Sequence, residues 1–173
     1  TKRPFAGMVR CETTLKSWGE LQDIVRRSKE RAENQGILGS LRRLKADQDE
    51  YDAFLKVVQE EWKSLDDFIL HKVFGCKRRS TTDDGGTIRS TCDKPAGAER
   101  LLKWAENDFP YALEKNIRHF LLWSTKELST DELSQQVADF VDTEQYVYFV
   151  NPPHLRSVRK VWHAHVLFKI EGK

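Results

Sequence analysis

"VNPPHLRSVRKVWHAHVLFK", residues 150–169, carries the strongest strand signal in the chain. Pro152 and Pro153 cannot donate to a sheet ladder, so a turn or a sheet edge precedes the strand. From Val161 onward, branched and aromatic residues dominate, as in an extended segment. Period-two alternation places Trp162, Ala164, Val166 and Phe168 on one face and His163, His165, Leu167 and Lys169 on the other. The first face reads as core and the second as the wet side of a half-exposed strand. Two residues along a strand put the Cα atoms of His163 and His165 about 6.5–7 Å apart. One phosphate or one metal ion could then be addressed by both.

Working outward, "RLLKWA" (100–105), "IRHFLLWS" (117–124) and "EQYVYFVN" (144–151) read as further strands, and "NDFPYALEKN" (107–116) as a loop. Ser129 with Glu132 has capping-box spacing and starts a helix with Leu133, Val137, Phe140 and Val141 on its buried stripe. Upstream, Ser17 with Glu20 opens a helix bearing Trp18, Leu21, Ile24 and Val25, ended by Gly36. Asp47 with Glu50 opens a second, bearing Tyr51, Phe54, Leu55, Val58 and Trp62. Ser64 with Asp67 opens a third, ended by Gly75. Residues 76–97, rich in Ser, Thr, Asp and Gly, read as a flexible connector. The expected architecture is α+β in a single domain, 1–173. It has a helical part (1–75), the connector (76–97) and an α+β core (98–173). A mainly antiparallel sheet carries helices on one face, with the N-terminal helices packed against it.

The chain's 173 residues, 39% of them hydrophobic, suffice to bury a core without metals or disulfides. Its 29 Lys and Arg nearly balance 27 Asp and Glu, so no broad polyanion-binding face and no nucleic-acid partner are expected. No run approaches the ~18 apolar residues of a membrane span. The opening "TKRPFAGMVR" lacks a signal-type apolar core and an initiating Met, which suits a processed chain. Cys11, Cys76 and Cys92 form no CxxC and point to reduced thiols and a cytoplasmic location; a Cys76–Cys92 pair across the connector is the alternative.

The chemistry-bearing residues gather around the opening stretch. Arg156, Arg159 and Lys160 flank Ser157, with no acidic residue between Asn151 and Phe168, a composition suited to an anion. The bland reading is a solvated loop at a strand end. A second cluster is Asn107, Asp108 and Tyr111 in the loop, with His119 on the strand that follows. A metal would need His119, His154 or Asp108 to join the two strand histidines. Trp104 or Trp123 could wall a nucleobase pocket, although core packing is the default for each tryptophan. No GxGxxG, P-loop, HExxH or GxSxG occurs, and neither a cofactor nor a resident metal is expected.

These motifs resemble the fungal N-acetylglucosamine-induced protein family. The features in common are the N-D-aromatic-P-Y turn at 107–111, H-x-x-x-W at 119–123, N-x5-S-V at 151–158, H-x-H-V at 163–166, W-x-x-L at 18–21 and "WKSLDDFIL" at 62–70. More distantly, the C-terminal half resembles histidine-triad nucleotide hydrolases and transferases. That resemblance implies a nucleophilic His163, a phosphate-contacting His165, and Asn151 and Ser157 as phosphate ligands. It departs at Val161, where the first triad histidine would stand, and in a longer Ser-to-His spacing. The expected function is binding, with hydrolysis or transfer, of a phosphorylated small molecule such as a nucleotide or nucleotide sugar, Arg156 supporting the anion. The alternatives are a non-catalytic module that binds a protein partner, and metal-assisted hydrolysis.

Overall fold

The structure is a computed structural model and describes residues 10–80, 86–91 and 100–170. The fold is α+β, as expected. Helix α1 spans Trp18–Glu30, and Ser17 caps it with a reciprocal box to Glu20. It stops before Gly36, where helix was expected to end, because Arg31 is extended and Ala32–Ser40 tightens into a 3-10 segment. Asn34, Gly36 and Gly39 disfavour a regular α-helix there.

Helix α2, Lys45–Glu61, starts two residues ahead of the expected cap, with extended Leu44 at its boundary and Asp47 inside the first turn. There Asp47 favours the positive end of the helix dipole. Helix α3, Leu65–Phe74, follows its signals closely: Ser64 accepts from the Asp67 N–H, and Gly75 closes the helix in the left-handed conformation at φ +69°.

The segment read as a bare connector carries an antiparallel hairpin, β1 (Lys77–Ser80) with β2 (Ile88–Thr91). All four β1 residues are exposed, so no alternation marked it. Its anchor is Asp67, whose Oδ1 accepts from the Ser90 N–H at 2.9 Å while its backbone carbonyl accepts from the Ser90 hydroxyl. Cys76, expected as a reduced thiol, is disulfide-bonded. Cys92 lies outside the described residues. The cysteines therefore no longer argue for a reducing compartment.

The main sheet comprises β3 (Leu102–Glu106), β4 (Ile117–Ser124), β5 (Tyr146–Phe149) and β6 (Trp162–Lys169), ordered β3-β4-β6-β5 with every neighbour antiparallel. Helix α4, Thr130–Phe140, is capped by Ser129 through the expected box. Leu133 and Val137 of α4 pack on Leu122, Trp162, Ala164 and Val166 on one sheet face.

The opposite face is covered too. Trp18, Leu21 and Val25 of α1, with Leu38 and Leu41, meet Ile117, Phe149 and Leu167. Ile69 of α3 meets Leu121 and Trp123. The histidine face of β6, expected to be wet, is therefore inside: Trp162 through Leu167 are all buried. Among the described residues no helix is long and apolar enough to cross a membrane.

Candidate functional site

Strand register builds the site. Trp123 of β4 stands opposite His163, and Leu121 of β4 and Phe149 of β5 stand opposite His165, while His119 pairs with Leu167. One face therefore carries His119 diagonally across from His165 and beside it in space. Phe149 stacks on His165 with centroids 5.0 Å apart, and Trp123 tilts against His163 at 4.6 Å.

The imidazoles form a buried chain. His119 Nε2 and His165 Nδ1 are 2.9 Å apart, and His165 Nε2 lies 3.0 Å from Asn151 Nδ2. Asn151 also reaches the Tyr111 hydroxyl at 3.4 Å. At the other end, Asn107 Nδ2 sits 3.4 Å from both ring nitrogens of His119. The Asn107 side chain is oriented by its Oδ1, which accepts from the Phe109 N–H at 3.0 Å. This Asx turn fixes the backbone at the start of the 107–111 loop, beside the histidines.

Burial keeps these imidazoles uncharged. Desolvation, aided by the Arg43 charge, lowers His119 to about 3. His165 is held well below the usual histidine range, first by desolvation and then by the neighbouring imidazoles and Arg43. His163 is lowered as well, chiefly by desolvation. All three are neutral at pH 7.

His163 differs from His165 in what its nitrogens do. Its neutral ring donates Nδ1–H to the Val161 carbonyl at 3.2 Å. That bond leaves Nε2 with its lone pair and no protein partner among the described residues. Val161 is itself fixed from α3: Asp66 Oδ1 accepts from the Lys160 N–H at 2.6 Å and the Val161 N–H at 3.0 Å.

These groups open on a cavity of about 270 Å³, at the lower edge of the size range of small-molecule sites. His163, His165, Asn151 and Ser157 line it together with Asn107, Asp108 and Tyr111. The predicted residues thus converge, with two exceptions. Arg156 is outside the lining and instead donates Nε–H to the Asn151 carbonyl at 2.6 Å, bracing that residue. His119 lies behind His165 and borders a second, smaller hollow with Pro110 and Arg118. Both His165 nitrogens are spent inside the chain of hydrogen bonds, so the ring orients Asn151 and His119 and has no free donor for a ligand. Asn151 is buried, and among the described residues its Oδ1 has no hydrogen-bond partner. Among the described residues no group of three or more His, Cys, Asp or Glu is arranged to hold a metal.

The N-terminal part of the wall was missed by sequence reasoning. Leu38, Tyr51, Phe54, Phe68 and Lys72 come from the N-terminal helical elements, and Arg43 from the link between the 3-10 segment and α2. The segment around Arg43 is stitched to the loop by the Ala112 N–H, which donates to the Arg42 carbonyl at 2.8 Å. Only the aromatic spacing of Tyr51, Phe54 and Trp62 hinted at that wall, and it reads equally as helix core.

Residues 17–142 match the family described as "Protein of unknown function (DUF3605)". The chain belongs to this family. The DUF3605 match takes in Arg43, Tyr111 and His119 and ends before β5, so Asn151, His163 and His165 lie beyond it. Over 168 residues, 87% of this chain and 77% of the relative, the DUF3605 chain is 25% identical to "Uncharacterized protein YPL067C" of Saccharomyces cerevisiae. It is 30% identical over 82 residues to "N-acetylglucosamine-induced protein 1" of Candida albicans, covering 36% of this chain and 32% of that protein. This partial match agrees with the resemblance read from the motifs. A solved structure, "Crystal Structure of HTC1", superposes with a TM-score of 0.61 at 23% identity, over 90% of this chain and 85% of that one. That likeness is one of fold.

Proposed function

We propose that this DUF3605 chain binds a small phosphorylated molecule in the 270 Å³ cavity, with His163 as the reacting residue. The observation that carries the reading is the orientation of His163: Nδ1–H is committed to the Val161 carbonyl, and the free Nε2 belongs to a residue of the cavity lining. A neutral imidazole held this way is a nucleophile or a general base. In the transfer step Nε2 forms a bond to phosphorus as the ester P–O bond breaks. The leaving alkoxide takes a proton from a water molecule, and the hydroxide so formed attacks phosphorus as the Nε2–P bond breaks, which releases phosphate and regenerates the imidazole. Ser157 and the buried Asn151 amide are the neutral polar groups near the ligand, and Tyr51, Phe54 and Trp123 supply apolar walls. The histidine-triad likeness belongs to this reading, with the Val161 carbonyl, rather than a further histidine, orienting the ring.

The test is a panel of nucleotides, nucleotide sugars and sugar phosphates. Binding to the wild type is followed by thermal shift and turnover by phosphate release, with His163→Gln as control. A ligand that raises Tm, and whose turnover is lost in the variant, supports the reading. A panel in which nothing raises Tm, and in which His163→Gln changes neither binding nor turnover, refutes it.

A further inference from the structure

We propose that Arg43 is the anchor for the ligand's charged end, and that the ligand is a small oxyanion, a carboxylate or phosphate ester, carrying an uncharged ring or apolar body. The proposal rests on the reading that the cavity binds a small molecule, and adds which charge is recognised and by what. Four lining residues are charged: Arg43, Lys72, Glu106 and Asp108. Three of them are matched. Lys72 pairs with Asp108, and Glu106 pairs with Arg118 at 2.7 Å. Arg43 is left as the cavity's unmatched charge, with no carboxylate partner among the described residues.

What holds Arg43 in place does not neutralise it. Its Nε–H donates to the Phe109 carbonyl at 2.9 Å, its guanidinium lies over Tyr51 at 4.1 Å, and Gln48 Oε1 is 3.5 Å from Nη1. With Nε spent on a neutral carbonyl and one Nη1–H on a long bond to Gln48, the end of the fork keeps N–H donors on both Nη1 and Nη2 for two oxyanion oxygens. The rotamer is therefore set before a ligand arrives, which lowers the ordering cost of binding. The other cation of the lining, Lys72, is paired with Asp108, the imidazoles are neutral, and the Arg43 charge is itself felt at His119 and His165, where it disfavours protonation. Tyr51, Phe54, Phe109 and Trp123 offer aromatic faces to an uncharged body. Asn151, 7% exposed with an unpartnered Oδ1, offers a further polar contact. The cavity, at about 270 Å³, suits a ring with one charged substituent better than a whole dinucleotide.

The experiment titrates the full chain with three probes sharing one ring: phenylacetate, phenyl phosphate and the neutral phenylacetamide. Binding is read by NMR or calorimetry for wild type, Arg43→Gln and Arg43→Lys. The wild type is expected to prefer at least one anion over the amide by about tenfold or more. Whichever anion is preferred identifies the carboxylate or the phosphate as the recognised group. Arg43→Gln should erase that preference while binding phenylacetamide as before, and Arg43→Lys should keep part of it. Equal affinity for amide and anions in the wild type, or a preference that survives Arg43→Gln, overturns the Arg43 assignment and leaves the cavity reading intact. If none of the three probes binds the wild type, both fail. Should Arg43→Gln not fold, Arg43→Lys with an unchanged preference overturns the assignment, because a point charge cannot reproduce the fork.

Discussion

His119 Nε2 and His165 Nδ1, from different strands, lie 2.9 Å apart with both rings buried. One ring must donate and the other accept, so this contact requires that at least one of the two stay unprotonated. Charging both would set two cations against each other beside Arg43.

That pair makes stability depend on pH. Unfolded imidazoles titrate near 6.5, whereas His119 is lowered to about 3 and His165 is held well below its usual range. Between those limits the unfolded chain binds more protons, so stability is fully present above pH 6.5 and falls as pH drops below it. The slope is at most about 1.4 kcal/mol per pH unit for each imidazole that stays neutral in the folded state. Urea midpoints at pH 7.5 and 5.0 should differ in this direction, and His119→Gln should show a smaller difference. Identical midpoints for the wild type would contradict the buried neutral pair.

Removing one member of the chain strands the other. His119→Ala leaves His165 Nδ1 buried without its partner and opens a void beside Tyr111. A loss of at least about 1–3 kcal/mol follows from the unmade hydrogen bond alone, measured by denaturant unfolding. His163→Ala interrupts only the bond to Val161 and should cost less.

Asp66 acts on His163 at one remove. Its carboxylate holds the Lys160 and Val161 N–H groups, and Val161 holds His163 Nδ1–H. Asp66→Ala is expected to destabilise by about 1–2 kcal/mol and to mix the two neutral tautomers of His163, visible in its ring nitrogen shifts. Asp66→Asn, which keeps an acceptor, should restore the single tautomer. A His163 spectrum indifferent to Asp66→Ala removes the positioning role.

Gly75 gives a check on the backbone. It adopts φ +69°, and a Cβ built there meets nothing within 4 Å. Gly75→Ala should therefore cost only the conformational penalty, about 1 kcal/mol, with no change in the cavity. A loss several times larger would mean that α3 ends differently.

What was legible in the sequence follows from the range of each interaction. Ser17, Ser64 and Ser129 each bind a backbone N–H three residues on, so the signal and its effect share one short window. The alternation in "WHAHVLFK" sorted the two faces correctly for the same reason. It did not tell what covers the histidine face, because α1 and α3 lie more than 80 residues earlier in the chain. Arg43 and Phe109, 66 positions apart, meet only through tertiary packing, and nothing near either residue announces the other. The β1–β2 hairpin escaped because it is held by Asp67 and Ser90 rather than by an apolar face. Arg156 pointed to an anion by composition, yet its donor serves a carbonyl of its own loop.

The cavity is a seam. Arg43, Tyr51 and Phe54 belong to the N-terminal half of the chain, while Asn151 and His163 belong to the C-terminal half. The space between them exists only while the halves are docked, so an occupant works as a clasp. Its binding energy adds to the work of pulling the halves apart. Occupancy should thus register far from the histidines, as slower opening of the entire molecule to proteases and to hydrogen exchange.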